Sequence, residues 1–230
     1  MSQPKILIVV TSHAQLGDTG TPTGLWLEEL AVPYVVFTDA GAEVDIASPA
    51  GGKPPIDPKS AADENELIQR FNSDPMAQAK LAATLRIDSL DKTYDAVFVA
   101  GGHGVMWDLA VDQSVADLLS STYERSGVVA AVCHGPGAPV PVKLSSGQPL
   151  VAGHRVAGFT NEEESAVGLS EVVPFLLQDK LTELGGRYES GPQWQPFAVR
   201  DGRLVTGQNP ASSAAVAQET LRALEQLGAR

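Results

Sequence analysis

Four short apolar runs limit what this chain can fold into: "KILIVVT" (residues 5–11), "EVDIASP" (43–49), "YDAVFVA" (94–100) and "VVAAV" (128–132). Each is rich in β-branched or small residues and too short for a buried helix. Largely continuous apolar character marks strands covered on both faces. Helix-like stretches lie between them. Leu27, Leu30, Ala31 and Tyr34 keep helical spacing, with Pro33 expected to kink or interrupt that helix. Asp74-Pro75 reads as an N-cap followed by proline at the first helical position. Further helices are expected over residues 113–126, 172–184 and 211–227, and "FAVR" and "RLVT" form a hairpin around Asp201-Gly202. Strands alternating with helices predict an α/β fold over residues 1–230. It is a single-domain three-layer sandwich, a mostly parallel sheet with helices on both faces.

With 43% apolar and 19% charged residues, the chain can bury a sizeable core. No run approaches the ~18 apolar residues of a membrane span. The start of the sequence passes directly into the first strand without the pattern of a signal peptide. One cysteine cannot form an internal disulfide, and cysteine-poor chains suit a reducing compartment, so a cytoplasmic location is expected. The net charge is −12 with no basic stripe, which argues against nucleic acid and acidic membrane surfaces as partners.

That single cysteine, Cys133, directly follows "VVAAV" and precedes His134 and Gly-Pro-Gly. A nucleophile at the end of a buried strand, with glycine two places on, fits a nucleophile elbow, a sharp strand-to-helix turn. The N-terminal N–H groups of the following helix would then favour thiolate, and an accessible thiolate would oxidise readily. His134 can serve as a base, and its backbone N–H can point at a substrate oxygen. In "GGHG" (101–104) glycines let the backbone approach a ligand, which makes the Gly102 N–H an oxyanion donor; His103 reads as a structural or pocket-edge residue. Glu28 and Glu29 are adjacent on a helix, about 100° apart, so at most one faces a site while the other is solvated. In "NEEES" (161–165), Asn161 reads as a helix cap followed by acids. The four histidines show no close ligand spacing, so no catalytic metal is expected.

"AAVCHGP", "GGHG", "GFTNEEE" and "DGRLVTGQNPAS", with "EEL..PY......GAEVDIASPAGG" near the start, resemble the ThiJ/PfpI superfamily, which has the flavodoxin-like class I glutamine amidotransferase fold. The pattern is most similar to the heat-shock chaperone-like branch that includes glyoxalases of the glyoxalase III type. The resemblance spans nearly the whole chain. It implies Cys133 as nucleophile, Glu29 rather than Glu28 as the buried acid, and Glu164 as the acid supporting His134, with Glu162 and Glu163 as neighbouring alternatives. It also implies conversion of methylglyoxal and related 2-oxoaldehydes to 2-hydroxy acids, chemistry that calls for no cofactor, and a homodimer. A stress-related chaperone or deglycase, and a cysteine hydrolase using the same residues, are the other activities in view. Ammonia transfer is disfavoured, because the distant "HxE" segment of true amidotransferases is absent.

Overall fold

The expected strands pair in one sheet in the computed structural model, which describes residues 3–61 and 65–228. The strands are β1 (Lys5–Val9), β2 (Glu43–Ser48), β3 (Leu85–Arg86), β4 (Ala96–Val99), β5 (Val128–Val132), β6 (Arg155–Val156), β7 (Arg187–Tyr188), β8 (Ala198–Asp201) and β9 (Leu204–Gly207). The helices are α1 (Glu28–Asp39), α2 (Glu66–Ser73), α3 (Pro75–Ala82), α4 (Gln113–Glu124), α5 (Asn161–Ala166), α6 (Leu177–Glu183) and α7 (Ser213–Gly228). Seven strands pair in the order β3-β2-β1-β4-β5-β9-β8, all parallel except the β8–β9 hairpin. β6 and β7 form a separate parallel pair.

Every residue of β4 and β5 is buried, as are Ile6 to Val9 of β1. One row across the sheet runs Ile46, Ile8, Phe98, Ala130, Val205, so bulky Phe98 faces a neighbour with only a methyl. The chain leaves β1 toward β2 on one side and β4 toward β5 on the other. Right-handed crossovers therefore put α1 and α4 on opposite faces. The strand order reverses between β1 and β4, and ligands in such sheets bind at the carboxyl ends beside that reversal.

The helix reading needs adjustment in four places. α1 continues through Pro33 without interruption. Proline removes one hydrogen bond early in the helix, and burial of Leu30, Ala31, Tyr34 and Phe37 holds the rest. α2 was not anticipated; its short sequence offers Ile68 and Phe71 as buried anchors, with Leu67 packed against the same core. The helix expected over 172–184 is confined to α6, after a series of turns. α7 begins after a 3-10 turn at Pro210–Ser212. Asp74 does cap α3, accepting from Met76 N–H at 2.8 Å. No helix among the described residues is long and apolar enough to cross a membrane.

Candidate active site

Cys133 leaves β5 with φ at +60°, a left-handed conformation that a residue with a Cβ adopts only under constraint. Two backbone bonds supply it: Cys133 N–H donates to Gly207 O at 3.0 Å, and Phe159 N–H donates to Cys133 O at 2.9 Å. Gly135 passes so close beneath the Val99 carbonyl that a Cβ there would collide with it. This is the sharp turn of a nucleophile elbow, with one correction. No α-helix follows Cys133; Gly135–Gly137 make a single 3-10 turn and the chain continues in turns. Two individual backbone N–H groups, from His134 and Gly102, take the place of the expected helix dipole and offset only part of the rise that burial imposes on the thiol pKa. Gly102 stands at the end of β4 with φ at +97°, where a Cβ would strike the Gly24 carbonyl.

The thiol is less accessible than the sequence suggests, with Cys133 only 3% exposed. Burial raises its pKa well above the ordinary value, and the Glu29 carboxyl adds to the rise. The expectation of a freely exposed, low-pKa thiolate is therefore not met in the resting site. Glu29 is fully buried, and its Oε2 accepts from Gly101 N–H at 2.7 Å. By distance and angle its Oε1 has no hydrogen-bond partner, yet the carboxyl and the Cys133 thiol act on each other electrostatically. Desolvation raises the Glu29 pKa well above the usual carboxylate range. Two interacting buried acids titrate as a coupled pair, and burial holds both toward their protonated forms. Glu28 is not solvated as expected: it is half-buried and lines the pocket over Cys133.

On the other side of the sulfur, Cys133 Sγ lies 3.4 Å from His134 Nδ1. His134 Nε2 lies 2.8 Å from Glu164 Oε2, and His103 Nε2 lies 2.8 Å from Glu164 Oε1. An ionised carboxylate only accepts, so both Nε2 atoms carry protons and the lone pair on His134 Nδ1 faces the sulfur. Burial first, and the neighbouring His103 second, hold the His134 pKa down at about 4. Burial opposes ionisation of Glu164, but the two imidazoles outweigh it and hold that carboxyl at about 2.

The cap of α5 sorts the three acids. Thr160, not Asn161, is the N-cap, and Glu163 completes a capping box with it. That register turns Glu162 outward, buries Glu163 under the cap and aims Glu164 at the histidines. Cys133, His134, Glu164, Glu29 and Gly102 thus meet at one place. The second imidazole on Glu164, that of His103, was not foreseen; a histidine directly after a strand-end glycine pair was the available signal. Folding also brings ligand atoms of His103, His134 and Glu164 within 4.8 Å of one another. Sequence spacing gave no hint of that set, which could hold a divalent cation, although each Nε2 is already engaged by the carboxylate.

A pocket of about 270 Å³ opens above the sulfur, walled by Trp26, Glu28, Phe159, Val167, Trp194 and Asn209. Phe159 packs tilted against His134 with 4.4 Å between ring centroids, and Trp194 meets Phe159 at 5.8 Å in an edge-on contact. A larger hollow of about 920 Å³, lined by Gln3, Tyr94, Arg125 and Leu224 among others, lies at the amino ends of the strands, away from the thiol. Residues 23–223 match the DJ-1/PfpI family.

The chain belongs to the DJ-1/PfpI family.

Among its relatives in that family, the glutathione-independent glyoxalase HSP31 of Saccharomyces cerevisiae is 31% identical over 240 residues, covering 98% of this chain and all of the yeast protein. Two crystal structures superpose closely on the chain. Rapid Encystment Protein 24 KDa of Francisella tularensis is 38% identical with a TM-score of 0.93, covering 96% of this chain and 99% of the other. Glyoxalase III of Candida albicans is 28% identical with a TM-score of 0.89, covering 96% and 97%.

Proposed function

We propose that this protein is a cofactor-independent glyoxalase that converts methylglyoxal and related 2-oxoaldehydes to 2-hydroxy acids, giving D-lactate from methylglyoxal. The observation that carries the reading is the placement of two separate proton-handling groups on one thiol. Glu29 lies buried on one side, and His134 backed by Glu164 lies on the other. A simple hydrolase needs only the second. Moving a hydrogen between adjacent carbons needs the first.

In the reactive form Glu29 and Cys133 share one proton, which resides on Glu29. The thiolate attacks the aldehyde carbon, and the Glu29 proton passes to the new alkoxide, with the Gly102 and His134 N–H groups stabilising the oxygen as its charge develops. The sulfur is then a neutral thioether, so Glu29 is left as a carboxylate able to take the C1 hydrogen as a proton. The resulting enediol receives that proton back at C2, while the C1 hydroxyl proton moves to the C2 oxygen. A 2-hydroxy thioester results. His134, neutral well below pH 7, takes a proton from water through Nδ1 as the water attacks the thioester. Thiolate leaves and is reprotonated. The sum is RCOCHO + H₂O → RCH(OH)COOH, with no external oxidant or reductant.

A cytoplasmic homodimer acting within a stress response is part of the same proposal, supported by the single cysteine for the compartment and by the family resemblance for the dimer and the stress role. The pocket, at about 270 Å³, is of small-molecule size and smaller than the extended groove that a peptidase or holdase would need. The test is D-lactate formation from methylglyoxal without glutathione. Wild type turns over, and Cys133→Ser falls to background; turnover by Cys133→Ser would overturn the proposal.

A further inference from the structure

The segment "GQNPAS" after β9 supplies no group to the steps above, yet its polar side chains are buried and fully used. Gln208 Oε1 accepts from Gly191 N–H at 2.8 Å, Asn209 Nδ2 donates to Gln195 O at 3.0 Å, and Ser212 Oγ accepts from Phe197 N–H at 3.0 Å. All three anchor one loop, residues 189–197. The fourth anchor is Glu163, which is fully buried. Its Oε1 accepts from Trp194 N–H at 2.9 Å, Gln208 Nε2 at 3.0 Å and Asn209 Nδ2 at 2.8 Å.

This network holds Trp194 at φ +60°, a conformation that a bulky residue adopts only when its surroundings compel it. The result is an indole, 44% exposed, seated at the rim of the pocket over Cys133 and edge-on to Phe159. An exposed tryptophan fixed by a buried carboxylate is a built feature of the rim. The pocket beneath it, about 270 Å³, extends well beyond the thiol, and the single methyl of methylglyoxal would leave its aromatic wall largely untouched. Trp26, Phe159 and Trp194 face that space with aromatic surface.

We infer that Trp194 is a specificity-determining residue, and that the site takes 2-oxoaldehydes whose substituent is a bulky apolar or aromatic group stacked against it. Glu163, Gln208 and Asn209 are positioning residues for that indole. This rests on the glyoxalase reading and adds the substrate class to it.

The experiment compares kcat and KM for phenylglyoxal and methylglyoxal in wild type, Trp194→Ala and Gln208→Ala. Apolar contacts in a hydrophobic pocket discriminate by about 10–200-fold. Wild type should therefore favour phenylglyoxal in kcat/KM by about tenfold or more. Trp194→Ala should raise KM for phenylglyoxal about tenfold, and by several-fold more than it raises KM for methylglyoxal. Gln208→Ala should move the same constant in the same direction, because it loosens the loop without touching the thiol. Equal efficiency on both aldehydes in wild type, or a parallel loss on both in Trp194→Ala, overturns the specificity inference and leaves the glyoxalase reading standing. Failure of wild type to turn over either aldehyde removes both.

Discussion

His103 and His134 lie ring to ring, 4.1 Å between centroids, and each aims Nε2 at a different oxygen of Glu164. The carboxylate therefore orients the imidazole beside Cys133 while its charge is shared with a second imidazole in the same pocket. His103 also contributes to holding the His134 pKa down at about 4, after burial.

That sharing has a pH signature. The step that activates water needs neutral His134, so kcat/KM in wild type should stay level from neutrality to about pH 5 and halve near 4. His103→Gln removes the neighbouring imidazole and should move this acid limb to higher pH. Loss of one hydrogen bond to Glu164 should also lower activity at pH 7 by about two- to tenfold. A wild-type limb near 6.5, or one unmoved in His103→Gln, would show that His134 is not the group being titrated.

At Gly102 the backbone both makes a tight approach and donates toward the thiol. Gly102→Ala meets the Gly24 carbonyl and strains a φ of +97°, so the N–H must shift. Losing one oxyanion donor typically lowers kcat by about 10²–10³-fold. The expected outcome is a fall of that order in kcat with KM little changed and a lower melting temperature. A variant with lowered melting temperature but full kcat would remove Gly102 from the oxyanion site.

Metal dependence is a sharp test because the fold gathers two imidazoles and a carboxylate beside the nucleophile. The steps proposed use His134 through its Nδ1 lone pair, which requires the Nε2 proton that Glu164 accepts. A cation at Nε2 would displace that proton and upset the arrangement. Exhaustive chelation should therefore leave turnover unchanged. Activity lost on chelation and restored by added zinc would mean the cluster works as a metal centre.

The strand core was legible because β1, β4 and β5 are buried on both faces, so their apolar runs are nearly uninterrupted. Cys133 was legible for a related reason: small strand residues, the nucleophile and Gly135 are contiguous, and the collision a Cβ would cause at Gly135 is a local constraint. His103 was not, since its partner Glu164 is 61 residues away and only the fold brings them together. The α5 cap was misread by one residue because Thr160 and Asn161 are both good caps. The reciprocal bond to Glu163 decides between them. Trp194 was invisible for the reason that makes it informative: its backbone conformation is imposed by a carboxylate 31 residues earlier, not by its neighbours.

The pairing of Glu29 with Glu28 gives the most demanding test of the proton shuttle. Glu29→Gln keeps the shape and the contact with Gly101 N–H but cannot take up and return a proton. Turnover should fall by about 10²–10⁴-fold with the fold intact. Glu28 lines the pocket mouth and its charge contributes to raising the Glu29 pKa. Glu28→Gln should therefore leave kcat within a few-fold of wild type and lower the pKa that Glu29 governs. Stability separates the two further. A carboxyl whose folded pKa is raised stabilises the fold most below its ordinary value, and that contribution is lost as pH rises through the folded pKa. Glutamine never ionises, so the melting temperature of Glu29→Gln relative to wild type should climb as pH is raised from 5 toward alkaline values. The difference for Glu28→Gln should stay nearly flat over the same range. If both variants lose activity equally, the helix places neither carboxyl selectively against the thiol. Full activity in Glu29→Gln would end the enediol route, leaving a cysteine hydrolase built on Cys133, His134 and Glu164.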